Sequence, residues 1–108
     1  MNAENQIEFI KNVIIKNYHP EKLILFGSYS KNTFHKNSDI DILVISENEK
    51  QLPRYKRGLA VRMNLAKIDT PIDILFYTNQ EIAKWKDSDF SFINTILKEG
   101  KVLYEQQK

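Results

Sequence analysis

Apolar positions in the first stretch of the chain recur with a helical period. Ile7, Ile10 and Ile14 fall on one face, with Phe9 and Val13 beside them, which predicts a helix over residues 3–17. His19-Pro20 ends it, because proline biases the residue before it away from helical backbone. Residues 23–26 are a short unbroken apolar run, the pattern of a buried strand. Gly27-Ser28 follows, with Ser28 placed to cap a short helix over residues 29–34. After a turn at Asn37-Ser38, a second strand spans residues 38–46. Ile40, Ile42 and Val44 take one of its faces, and Asp39, Asp41, Leu43 and Ile45 the other.

Residues 47–51 are polar and read as a loop. A second amphipathic helix is expected over residues 52–68, with Leu52, Tyr55, Leu59, Met63 and Ala66 on its apolar side. Asp69-Thr70-Pro71 breaks it. A third strand, residues 72–77, alternates Ile72, Ile74 and Phe76 against Asp73, Leu75 and Tyr77. Thr78 and Glu81 have the spacing of a capping box, so a helix starts there. Another is expected over residues 89–98, with Phe92 and Ile96 facing inward beside Ile93 and Leu97, stopped by Gly100 in a left-handed cap. Val102-Leu103-Tyr104 adds a short extra edge strand. The class is α+β, read as one domain over residues 1–108: an N-terminal helix, a core over about 22–78 and C-terminal helices over about 79–105.

Composition narrows the field. A chain of 108 residues buries one core but not two. It has no cysteine, which excludes disulfides and thiolate metal sites. No apolar run approaches the roughly 20 residues that span a bilayer, and the N-terminus lacks the pattern of a signal peptide. A cytoplasmic protein without membrane contact is expected. The net charge of +2 is too small to point to nucleic acid as a main partner. Lys50, Arg54, Lys56, Arg57 and Arg62 read as the solvated face of the second helix.

The acids demand an explanation. Asp39 and Asp41 leave one strand on the same face, roughly 6–7 Å apart at the backbone. Asp73 occupies the same kind of position on the third strand, between two isoleucines. If the two strands are neighbours, three carboxylates converge. Two such charges about 5 Å apart repel by roughly 3 kcal/mol at an effective dielectric near 20. A shared proton, paired basic side chains or divalent cations each relieve that repulsion. All-carboxylate oxygen sites suit magnesium or manganese. Gly27-Ser28 is the candidate phosphate cradle, although alone it would read as a plain turn: glycine after a strand lets the backbone approach a ligand, and Lys31, one turn along, could meet an outer phosphate as a point charge.

Taken together, Gly27-Ser28, ten intervening residues and Asp39-Ile40-Asp41 resemble the DNA polymerase beta-like nucleotidyltransferase superfamily, in particular its small stand-alone branch, the minimal nucleotidyltransferases. FGSYSKNTFHKNSDIDILVIS is similar to that branch's first signature, PIDILFYTNQEI to its third-acid strand and SFINTILKEGKVLYE to its ending, so the likeness runs from about Leu23 to Glu105. The resemblance implies a mixed three-stranded sheet flanked by helices. It implies two magnesium ions, with manganese as a substitute, held by Asp39, Asp41 and Asp73. It also implies a nucleoside triphosphate, ATP, on Gly27, Ser28 and Lys31, and attack of an acceptor hydroxyl on the α-phosphorus. Relatives commonly read Gly-Ser-x-Ala-Arg-Gly after the strand. Here Lys31 keeps the charge of that arginine without its bidentate fork, and Asn32 replaces the glycine.

Members of this branch are often paired with a helical HEPN-type toxin, and some adenylylate it. The resemblance therefore implies an antitoxin-like adenylyltransferase whose acceptor is a tyrosine of a HEPN-type partner. The alternative is a binding module, catalytically weak or inactive, that neutralises its partner by complex formation. The other candidates read as structural. His19 and Asp69 are surface residues, His35 is an exposed loop residue and Trp85 a core or interface aromatic. Tyr29 and Tyr77 flank the proposed site in either a packing or a base-contacting role.

Overall fold

The computed structural model describes residues 3–30, 39–88 and 91–107. The chain folds as α1 (Ala3–Tyr18), β1 (Lys22–Phe26), β2 (Ile40–Ile45), α2 (Leu59–Asn64), β3 (Ile72–Tyr77), α3 (Asn79–Trp85), α4 (Phe92–Glu99) and β4 (Lys101–Glu105), with single 3-10 turns at Gly27–Tyr29 and Arg54–Lys56. The four strands form one mixed sheet in the order β3-β2-β1-β4. β1 is antiparallel to both β2 and β4, whereas β2 and β3 run parallel. The extra edge strand is thus present, joined to β1 with an irregularity at Leu23/Ile24. No helix among the described residues is long and apolar enough to cross a membrane.

Alternation along the strands divides the core in two. Leu23, Leu25, Ile40, Ile42, Val44, Ile74 and Phe76 pack on one face against Ile10, Ile14 and Tyr18 of α1 and Val61 and Leu65 of α2. Ile24, Phe26, Leu43 and Ile45 pack on the other against Ile82 of α3 and Ile93 and Ile96 of α4. Helices therefore cover both faces, which is why β1 and β2 read as nearly continuous apolar runs. The capping box forms as the sequence predicts: Thr78 accepts from the Glu81 N–H, and the Glu81 carboxylate accepts from the Thr78 N–H at 2.8 Å.

Several expectations are corrected. The helix over 52–68 is a 3-10 turn followed by the six-residue α2, and the predicted apolar stripe faces outward: Tyr55, Leu59 and Met63 are 79%, 64% and 69% exposed. Gly58 is the reason. It takes a left-handed φ of +79°, and a Cβ there would enter the Phe76 ring, so the chain turns at this point and presents Val61 and Leu65 to the core. Arg57, assigned to a solvated face, is buried. Its guanidinium donates to the carbonyls of Leu52 and Phe76 at 2.9 and 3.1 Å and to the Glu81 carboxylate at 2.8 Å, tying the 47–53 loop to β3 and α3.

At the other end, α4 begins at Phe92 with Ser91 as its cap, and Phe92 itself is largely exposed; Ile93, Asn94 and Ile96 are the buried positions. Gly100 is not left-handed but extended, at φ −73° and ψ 160°. Glycine is needed there because a Cβ would run into Ile24 and the Ile96 carbonyl where α4 joins β4.

Candidate functional site

The acids sit at one end of the sheet. Because β2 and β3 are parallel and paired Ile40 to Ile72, Asp41 falls opposite Asp73. The backbone separation of adjacent strands is about 4.8 Å. A hydrogen bond of 2.9 Å from the Ile40 N–H to the Pro71 carbonyl locks this register at its first rung and holds Asp39, the residue just before β2, at the same end. The isoleucines that flank the acids, Ile40 and Ile42 on β2 and Ile72 and Ile74 on β3, lie on the α1/α2 side, so the carboxylates leave on the opposite side, in line with Leu43 and Leu75. Asp39 and Asp73 are exposed and Asp41 is half-buried between them.

The electrostatics follow. Burial, then the charges of Asp73 and Asp39, push the Asp41 carboxyl up from 3.8 to about 6. Among the described residues, no group of three or more acidic, histidine or cysteine side chains closes into a cation cage. The three aspartates are a crowded row, and crowding of this kind is what a divalent cation relieves. Their all-oxygen chemistry fits magnesium or manganese.

β1 delivers the second component. Phe26 pairs with Asp41 across β1 and β2, so the turn at Gly27 lies beside the acids. Gly27 has φ +74°, and a Cβ there would strike the Asp41 carboxylate. Glycine thus brings backbone against the acid, an approach no other residue permits. The Ser30 hydroxyl donates to the Gly27 carbonyl at 2.8 Å and closes the turn. The predicted roles of Lys31 and of the Ser28 hydroxyl, the helix over 29–34 and His35 lie wholly or partly outside the described residues.

Other candidates separate cleanly. Tyr29 packs against the α1/α2 core beside the turn. Tyr77 does not flank the acids: it lies four residues along β3 from Asp73, about 13 Å away, under the Arg54 guanidinium at 4.6 Å. His19 and Asp69 are exposed. Trp85 is 42% exposed and borders a cavity of about 410 Å³ with Arg54, Tyr77 and Phe92. On the other side of Phe92 a cavity of about 140 Å³ opens against Gly27. The exposure of Phe92 was not expected, because its position in the α4 pattern looks like core.

Comparison with known proteins shows what the whole chain is similar to. Residues 8–108 match the family model described as "Polymerase beta, Nucleotidyltransferase". A Methanocaldococcus jannaschii protein provisionally named a protein adenylyltransferase is 31% identical over 106 residues, covering 96% of this chain and 100% of its own. A crystal structure described as a toxin-antitoxin with AMP-PNP superposes with a TM-score of 0.64 at 26% identity, over 98% of this chain and 76% of that one. A Sulfolobus solfataricus structure, 20% identical with a TM-score of 0.62, shares the fold over 97% of this chain and 87% of its own.

Proposed function

We propose, for a chain that belongs to the polymerase beta nucleotidyltransferase family, that it transfers AMP from ATP to a tyrosine hydroxyl of a partner protein, a HEPN-type toxin, and so acts as its antitoxin. The observation that carries this reading is the in-register pairing of Asp41 with Asp73 beside the Gly27 turn. In this reaction the acceptor oxygen bonds to the α-phosphorus, the bond from that phosphorus to the bridging oxygen breaks, and pyrophosphate leaves with the electron pair. Asp39, Asp41 and Asp73 would hold the divalent cations, magnesium above all, which would supply charge compensation to the triphosphate and acidify the attacking hydroxyl. Gly27 admits the phosphates close to the backbone, and the sequence resemblance assigns Ser28 and Lys31 to the same phosphates. Asp73, the exposed acid on the outer strand, faces the acceptor and takes its proton.

A nucleotide and a protein partner are supported by the relative solved as a toxin-antitoxin with AMP-PNP; the HEPN assignment rests on the sequence resemblance. The second reading, a module that neutralises its partner by binding alone, is favoured by one feature: the outward-facing Tyr55, Leu59 and Met63, a run of exposed apolar side chains suited to a protein contact.

The test uses α-labelled ATP and magnesium in a lysate of the source cell, with wild type and an Asp39→Asn/Asp41→Asn double variant. Label in one protein band with wild type alone supports the transferase and identifies the acceptor by mass. Absence of label, with a partner still retained on the protein, favours the binding module.

A further inference from the structure

Phe92 opens α4 with 57% of its surface exposed, on the side of the sheet that carries the acids. Its ring meets Phe26 edge-on, with centroids 5.6 Å apart and planes at 84°. Phe26 is in turn the register partner of Asp41, so these two rings begin where the row of carboxylates ends. The cavity of about 140 Å³ next to them is lined by Phe26, Gly27, Ser30 and Phe92 together with residues of the second half of α4. Its lining is mainly apolar, with Thr95 and Glu99 among the polar residues that border it.

Size and placement decide what such a cavity takes. Pockets that enclose a whole drug-sized ligand run from roughly 300 Å³ upward, so this one suits a single ring system with the rest of the ligand outside. It shares Gly27 with the turn that lies against Asp41, so a ligand anchored by phosphates at the acids reaches it directly. The larger cavity beyond Phe92 is lined by Tyr77, at the far end of β3 from the acids, with Arg54 and Trp85. An exposed aromatic ring beside a phosphate site is a stacking surface for a planar base.

We propose that this cavity receives the base of the nucleoside triphosphate, with the Phe92 ring as its stacking platform. The proposal rests on the nucleotidyltransferase reading and extends it by assigning a base subsite to α4. Phe92 touches the substrate through its base, away from the reacting phosphorus. Its loss raises KM for ATP and leaves the rate at saturation largely intact.

Calorimetric titration of the full chain with magnesium tests this with two probes: α,β-methylene ATP, which carries a base, and inorganic tripolyphosphate, which does not. Phe92→Ala is expected to weaken the ATP analogue about tenfold or more while tripolyphosphate binds as to wild type, and Phe92→Trp restores the analogue. Phe92→Leu, which keeps the contact with Phe26, separates stacking from packing and is expected to behave like the alanine variant. Unchanged analogue affinity in Phe92→Ala overturns the proposal, as does parallel loss of both probes that tryptophan does not restore. Wild type that binds neither probe overturns the nucleotidyltransferase reading itself, and the base subsite with it.

Discussion

Replacing Asp41 by asparagine is expected to stabilise the cation-free protein while removing its activity. The Asp41 carboxyl lies at about 6 instead of 3.8 because it is half-buried and faces Asp73 and Asp39. The folded state thus binds more protons than the unfolded chain between those two values. Stability attributable to this group is therefore full below pH 3.8, declines as pH rises through the window, and stays low above about 6. Each pKa unit corresponds to about 1.36 kcal/mol; discounting for solvent screening at a partly open site leaves about 1–2 kcal/mol. The neutral amide escapes that cost and can donate to either neighbouring carboxylate. Thermal melting at neutral pH in a chelator should place Asp41→Asn above wild type by at least about 4 °C, given about 4–8 °C per kcal/mol for a small domain. Magnesium or manganese should raise the wild-type midpoint and not that of the variant, and below pH 3.8 the two proteins should melt together. A variant that melts at or below wild type in chelator at neutral pH, or whose advantage persists unchanged in acid, refutes the reasoning that these carboxylates are crowded in the folded state.

Arg57→Met should cost about 3–5 kcal/mol in urea unfolding, because it strands the Glu81 carboxylate and the Phe76 carbonyl; a loss too small to detect would place Arg57 on the surface after all. Burial pushes the Glu81 carboxyl up, but its hydrogen bonds to Arg57 and Thr78 more than offset this and leave it below its ordinary 4.5. Its contribution is thus present above pH 4.5 and lost as pH falls through the lower folded value, so the urea midpoint of wild type should converge on that of Glu81→Gln in acid. Gly58→Ala combines about 1–2 kcal/mol of left-handed strain with displacement of the Phe76 ring, and the fraction that folds should label its acceptor normally. Gly27→Ala carries similar strain but pushes on Asp41, so its labelling rate should fall far more than its melting temperature.

The strands were legible because their apolar runs leave little choice. Residues 23–26 are buried on both faces, as are residues 40–45 apart from half-buried Asp41, and the isoleucines around Asp41 and Asp73 announce which way each acid points. What periodicity could not supply was the parallel pairing that brings Asp41 opposite Asp73, since neighbouring strands are a tertiary fact. The segment around α2 was misread for a related reason. Tyr55, Leu59 and Met63 follow one another at intervals of four, which imitates a core stripe, while the true anchors are a buried arginine and a glycine. Gly100 sits where a left-handed cap is usual, but the constraint there is room beside Ile24. Phe92 sits one position before Ile93, and a pattern of apolar residues cannot separate a ring that packs from a ring left exposed.

The order of the strands also bears on how the chain is made. β1 lies inside the sheet, yet the strand that covers one of its sides, β4, is translated some 75 residues later. At about 5–20 residues per second, that interval lasts roughly 4–15 s. Throughout it the sequence KLILF presents an unpaired apolar edge, of the sort that recruits other nascent chains. Rapid pairing with β2 protects one side; the other depends on β4 arriving. Loss of residues 101–105 would therefore show first as aggregation during synthesis, before any defect in chemistry could be measured.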